Sequence, residues 1–326
     1  MTAVSTDNCR VRAVCIGETM VMFGPPPHEL IEYCDHFVAL LGGAEANVAI
    51  GLERLGMHAG WVGKLPQNAL GRKLVNETRS FGVDTSAVVW SETGRVGTFF
   101  VEWGAAPRPL VTIYDRAGSA ATTLRAEELD WDHILSADWV VLTGITPALS
   151  DTCRATTLDV ARRAREAGVR VAFDVNYRSL LWSRDAAREA YRELLPHVDL
   201  LVATEPDVEI VLGRRLERQD ALHALADCCG ATAIAMTLGP EGALGFDRGT
   251  HYRAGGYDVQ CVNRLGAGDA FVAGMIYGYT QWGLQQGLAY GIAMAALKMT
   301  IPQNIPLVSK VDVERLVAGR NSDVIR

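Results

Sequence analysis

The chain has 326 residues, 49% of them hydrophobic and 21% charged, with a formal net charge of -7. This composition excludes disorder, collagen and coiled coil, and an acidic balance with no Lys/Arg cluster argues against a protein that tracks nucleic-acid phosphates. Seven cysteines, Cys9, Cys15, Cys34, Cys153, Cys228, Cys229 and Cys261, show no C-x-x-C spacing and read as thiols of a reducing compartment. Met1–Arg12 lacks the apolar core of a secretory signal, and no apolar run approaches the roughly 20 residues that span a bilayer. A cytoplasmic protein with small-molecule partners, and neither nucleic acid nor membrane, is expected.

In chain order, β-rich runs at Val11–Ile16, Trp139–Leu142, Val169–Phe173, Leu200–Ala203 and Ala233–Thr237 alternate with helix-period segments, the pattern of βαβ units on a parallel sheet. The helix between Ser150, as N-cap, and Gly168, as its close, is well marked. Phe37–Leu41, and the pair Gly97–Trp103 and Leu110–Tyr114, read as strands without intervening helices. They predict a small antiparallel sheet contributed by residues 33–41 and 95–116. Such a sheet is either a lid that excludes water from a site or an extra hairpin on the edge of the main sheet.

Three segments could carry chemistry. The first, with Tyr257–Val262 read as a strand and Ala270–Tyr279 as a helix, is Asn263-Arg-Leu-Gly266-Ala267-Gly268-Asp269. A glycine turn at a helix N-terminus presents free N–H groups to phosphate oxygens. A carboxylate there repels phosphate unless it takes a proton from an attacking hydroxyl; the alternative is that Asp269 is a favourable first-turn acid. The second, Gly42-Gly43-Ala44-Glu45-Ala46-Asn47, leads into a helix closed by Gly56. Its amide suits a polyol's hydroxyls, although the glycines serve helix–sheet packing equally well. The third, Asp174-Val-Asn176-Tyr-Arg178, stands at the C-terminal end of a strand, where ligands collect in open α/β sheets. Arg178 is either an anion clamp or a solvated loop arginine. Two commoner phosphate motifs are excluded: G-x-G-x-x-G needs glycine where Phe271 stands, and the Walker pattern needs Ser or Thr where Leu65 follows Gly63-Lys64.

Together these segments resemble the ribokinase family of carbohydrate kinases, over nearly the whole chain from Val14-Cys-Ile-Gly17-Glu18 to about Lys298. Gly266-Ala-Gly-Asp269 with Ala-Phe is similar to that family's second signature, and Gly42-Gly43-x-x-x-Asn47-x-Ala49 to its first. Within the family, Ala117-Gly-Ser-Ala120, Gly144-Ile-Thr-Pro-Ala-Leu-Ser150 and Asp174-Val-Asn-Tyr-Arg178 look most like the kinases of 2-keto-3-deoxygluconate.

The resemblance implies a single α/β domain over 1–326, a three-layer sandwich with a mostly parallel central sheet and a small antiparallel β lid that commonly makes a dimer contact. It implies transfer of the γ-phosphate of ATP to a primary hydroxyl, with Mg²⁺ and a monovalent cation as further candidate cofactors. Asp269 is then the general base, and the N–H groups of Gly266, Ala267 and Gly268 are the anion hole. Gly42, Gly43, Asn47, Tyr114, Asp115 and Arg178 meet the sugar; Asn176, Thr237, Gly239, Gly242, Gly266 and Gly268 meet ATP; Asp207 meets the metal through water. Three departures stand out. Asn263 replaces an aspartate, and Thr204-Glu205-Pro-Asp207 replaces Asn-x-x-Glu. Ile113-Tyr114-Asp115, with Arg116 one place late, replaces Tyr-Tyr-Arg. Strand alternation read from Asp115 puts Asp115 in the site and Arg116 on the opposite face, unless a local bulge turns Asp115 outward and presents Arg116 instead. A sugar-acid kinase is the leading expectation; a kinase for a neutral sugar (fructose or ribose type) or a nucleoside, or a catalytically weak sugar- or nucleotide-binding sensor, are the alternatives.

Overall fold

The computed structural model describes residues 12–26, 29–104, 107–230 and 233–319. The expectations for Cys9, for Val11 and for the stretch before Arg12 lie outside these residues. The main sheet has the order β14-β13-β12-β11-β10-β9-β1-β4. Its strands are β1 (Ala13–Ile16), β4 (Ala59–Val62), β9 (Trp139–Thr143), β10 (Arg170–Asp174), β11 (Leu200–Thr204), β12 (Ala233–Thr237), β13 (Ala243–Asp247) and β14 (Thr250–Ala254). The pairings from β4 to β12 are parallel, and β13 and β14 add an antiparallel edge.

Both faces of the parallel part of this sheet are covered, so those strands are buried at nearly every position rather than at alternate ones. On β1, Ala13 and Cys15 join one core while Val14 and Ile16 join the other. One layer holds α1 (Ala44–Arg54), α8 (Ala267–Trp282) and α9 (Leu284–Met299). The other holds α4 (Asp151–Glu166), α5 (Arg184–Leu194), α6 (Glu205–Leu212) and α7 (Arg218–Cys228). The shorter α3 (Trp131–Leu135), with α2 (Ala69–Ser80) and α10 (Lys310–Val317), completes the helices. Ser150 caps α4 by accepting from the Cys153 N–H at 3.0 Å, and Gly168 takes φ 78° after its end, as the sequence predicts.

A second sheet, β3-β2-β7-β8, stands beyond the main one. It comprises β2 (Met20–Gly24), β3 (Val38–Gly42), β7 (Thr98–Glu102) and β8 (Val111–Asp115), where β2, which follows β1 after three residues, was not foreseen. β2–β3 and β7–β8 are antiparallel, but β2–β7 is parallel because the chain returns through the body between them. A parallel pair, β5 (Lys64–Pro66) and β6 (Val89–Ser91), lies on that return path.

Tyr257–Val262 is not a strand. The ladder ends at Ala254, and the N–H groups of Val262 and Asn263 donate to the Met299 carbonyl at 2.8 and 3.1 Å instead. The following helix starts at Ala267, three residues before the predicted start, which puts Asp269 in its first turn.

Candidate active site

The parallel strands all end on one edge of the sheet, where Thr143, Asp174, Thr204 and Thr237 are the last strand residues. A cavity of about 390 Å³ opens there, between that edge, the N-termini of α1 and α8 and the inner face of the second sheet. This is where open α/β sheets bind ligands. Gly42, Gly43, Asn47, Tyr114, Asp174, Asn176, Arg178, Asp207, Thr237, Gly266, Gly268 and Asp269 all line it.

Gly266 is the N-cap of α8 at φ 80°, a left-handed conformation that glycine tolerates without strain. The helix N-terminus therefore faces the cavity with no side chain capping it. Of the three N–H groups expected in the anion hole, that of Ala267 is already engaged. It donates to the Arg264 carbonyl at 3.2 Å, and Ala267 is not among the cavity residues. Gly266 and Gly268 remain.

Asp269 is buried and accepts a 2.7 Å hydrogen bond from Asn47 Nδ2, which joins the first turns of two helices 222 residues apart. Burial raises its pKa to about 6, opposed by the Asn47 bond and by the charges of Arg178 and Lys298. Beneath it lies Glu45, 1% exposed, whose Oε1 accepts from the hydroxyls of Thr143 and Thr146 at 2.7 and 2.9 Å. Burial pushes Glu45 up to about 7. Asp174 also stands at about 7, raised by burial and by the neighbouring charges of Asp207 and Asp269. Asn176, at φ 38°, donates to Asp174 at 2.9 Å. Asp207 and Thr204 form a reciprocal capping box on α6, with Asp207 N–H donating to Thr204 Oγ1 at 3.2 Å.

Asp115 is misplaced by the sequence reading. Its side chain is 68% exposed, paired with Arg95 at 2.6 Å, and it does not line the cavity. Tyr114 and Arg116 do, because residues two apart share a face; the phase had to be counted from Tyr114, and no bulge is needed. Arg116 is 8% exposed, forms a buried ion pair with Glu18, and stands over the Tyr114 ring at 5.3 Å. Glu18 also accepts from Ser119 at 3.2 Å, and burial raises its pKa against the pull of Arg116. The Arg116 Nε finds no acceptor among the described residues. Gly239 and Gly242 shape the turn after β12 at φ 60° and 101°, but neither lines the cavity.

Sequence reasoning missed Glu18, Glu45, Thr143 and Asn304. Glu45 sat inside a motif already singled out; an acidic residue flanked by Ala44 and Ala46 at a helix start was the available signal.

The family model described as "pfkB family carbohydrate kinase" matches residues 11–307. A 2-dehydro-3-deoxygalactonokinase of Haloferax volcanii is 40% identical over 317 residues, covering 96% of this chain and 98% of that one. A 2-dehydro-3-deoxygluconokinase of Bacillus subtilis is 32% identical, covering 96% and 99%. The crystal structure of a 2-dehydro-3-deoxygluconokinase from Thermotoga maritima superposes with a TM-score of 0.88 at 34% identity, covering 95% and 99%.

Proposed function

The chain belongs to the pfkB family of carbohydrate kinases, and from that premise we propose that it phosphorylates the primary hydroxyl of a 2-dehydro-3-deoxy sugar acid with ATP. The acceptor is 2-dehydro-3-deoxygluconate (2-keto-3-deoxygluconate), giving the 6-phosphate, or its galacto epimer. The observation that carries the acid is Arg116. A guanidinium that lines the cavity, held by Glu18 on one terminal nitrogen, has further N–H groups for a charge-assisted bond to a carboxylate. Arg178 adds a second positive charge to the same cavity.

Asp269, with its pKa at about 6, is ionised at neutral pH and takes the hydroxyl proton as the oxygen attacks the γ-phosphate. Asn47 fixes which way that carboxylate points. The N–H groups of Gly266 and Gly268 stabilise the charge that builds on the transferring group. Asp174 and Asp207 are hard oxygen donors, and the Asp207 charge raises the Asp174 pKa, so the pair fits a divalent cation. They would hold Mg²⁺, which supplies neutralisation of the phosphate charge. Use of ATP goes with a cytoplasmic enzyme in this reading. No helix among the described residues is long and apolar enough to cross a membrane.

Val111 and Ile113 expose apolar surface on the face of the second sheet opposite to Tyr114, and we assign that face to a dimer contact between copies of this chain. Sedimentation of Ile113→Asp against wild type tests it; an unchanged wild-type dimer in the variant, or a monomeric wild type, contradicts it. For the reaction, the test is an acceptor screen with ATP and Mg²⁺ over both 2-dehydro-3-deoxy acids, fructose, ribose and nucleosides. The acids should have the highest kcat/KM; a neutral sugar or nucleoside ahead of both acids overturns the assignment.

A further inference from the structure

Lys298 is the one fully buried lysine among the described residues, and no step of the proposed reaction uses it. It lies in the last turn of α9, where a lysine normally favours the helix dipole while its head reaches water. Here the side chain is 0% exposed. Nζ donates to the Asn263 carbonyl at 2.8 Å, and no carboxylate of the described residues is within ion-pair distance. Burying an ammonium on a single neutral acceptor is costly, so its charge needs a partner.

The surroundings supply one. Asn263 stands three residues before Gly266, at the root of the anion loop. Its N–H donates to Met299, its side-chain amide to the Pro302 carbonyl at 2.7 Å, and its Oδ1 accepts from the Leu265 N–H at 2.9 Å. The segment that carries Lys298 thus holds the loop in place. The titratable groups whose charges act on Lys298 are Asp269 of α8 and Cys261 of the preceding loop. Asp269 in turn feels the lysine's charge.

We propose that Lys298 is the built-in cation of the phosphoryl-transfer site: its ammonium fixes the Asn263 carbonyl at the root of the anion loop and provides there a positive charge from the chain itself, so that no monovalent ion from solution is needed. It is a positioning residue, since it acts through the loop and the field and touches no reacting atom. In a dry site such a charge counts for more than it would in water. This rests on phosphoryl transfer but not on which acceptor is used, so any acceptor that wild type phosphorylates serves for the test.

Wild-type kcat is compared in potassium and in tetramethylammonium salts, and in Lys298→Gln, which keeps a donor for Asn263 but not the charge. Wild type should differ less than twofold between the salts. Lys298→Gln should lose kcat by tens of fold, below the roughly 10²–10³ of a direct oxyanion donor. KM for ATP and acceptor should stay within a few-fold, and potassium or ammonium ions should restore part of the rate. Burial lowers the lysine to about 8, so wild-type kcat/KM should fall as pH rises through that value and Lys298→Arg should move the limb upward. A wild type that needs potassium for most of its rate, a pH profile flat through this range, or a Lys298→Gln with unchanged kcat each overturns the proposal. The wild-type measurements decide it even if the variants fail to fold.

Discussion

A carboxylate serves as a base at neutral pH when its pKa sits just below the working pH and its oxygen is aimed at the proton. Asp269 meets both conditions through burial and through Asn47. Asp269→Asn keeps the shape and the Asn47 neighbour but cannot accept the proton. Its kcat should fall by roughly 10²–10⁴-fold with sugar and ATP affinity within a few-fold, as read by steady-state kinetics and calorimetry. Wild-type kcat/KM should fall on the acid side through about 6, as Asp269 takes up a proton. Asp269 was legible in the sequence because a carboxylate in an anion-binding turn is chemically odd. Its partner was not, since the bond from Asn47 spans 222 residues, and only the fold brings α1 and α8 together.

At the scale of elements, the start of α8 is set by one glycine. A Cβ on Gly266 would fall on the Asn304 carbonyl oxygen, and its φ of 80° strains any other residue. One on Gly268 meets nothing within 4 Å. Gly266→Ala should therefore lower stability by several kcal/mol in urea melts, strain costing about 1–3 kcal/mol before the clash is added. Gly268→Ala should hold or gain up to about 1 kcal/mol. Equal losses in both would show that the turn is not held by Asn304. The helix itself was legible from its small residues, but its first turn was not, because Gly266-Ala-Gly reads locally as loop. Likewise β8 was legible as a strand while its facing was not. Alternation gives two phases, and only packing, here Tyr114 stacked on Phe99 at 5.3 Å, chooses between them.

Over the whole molecule, the βαβ rhythm made the central sheet and its ligand-binding edge readable from the sequence. The closing antiparallel strands β13 and β14, and the role of β2, depend on tertiary pairing and were not readable. Assembling the cavity also leaves a mark on stability. Glu45 and Asp174 at about 7 and Asp269 at about 6 all lie above the usual carboxylate range. Between the unfolded and folded values the native state therefore holds protons that the unfolded chain has released, and stability falls as pH rises. The ligand-free protein should melt at a higher temperature near pH 5 than near pH 8, by scanning calorimetry over that span. A melting temperature that rises across it would contradict the burial of these groups.

The buried pair Glu18–Arg116 joins the loop after β1 to the end of β8, and so ties the second sheet to the body at the point where the substrate acid is read. Asp115→Ala, on the outer face, should leave kcat/KM unchanged. The most direct measurement is the ratio of kcat/KM for 2-dehydro-3-deoxygluconate over fructose in wild type and in Arg116→Ala. The acid reading predicts a ratio well above one in wild type and a collapse of roughly tenfold or more in the variant, carried by KM for the acid, since a charge-assisted bond is worth about 1.5–3 kcal/mol. A ratio that Arg116→Ala leaves unchanged, with both substrates weakened alike, would contradict it.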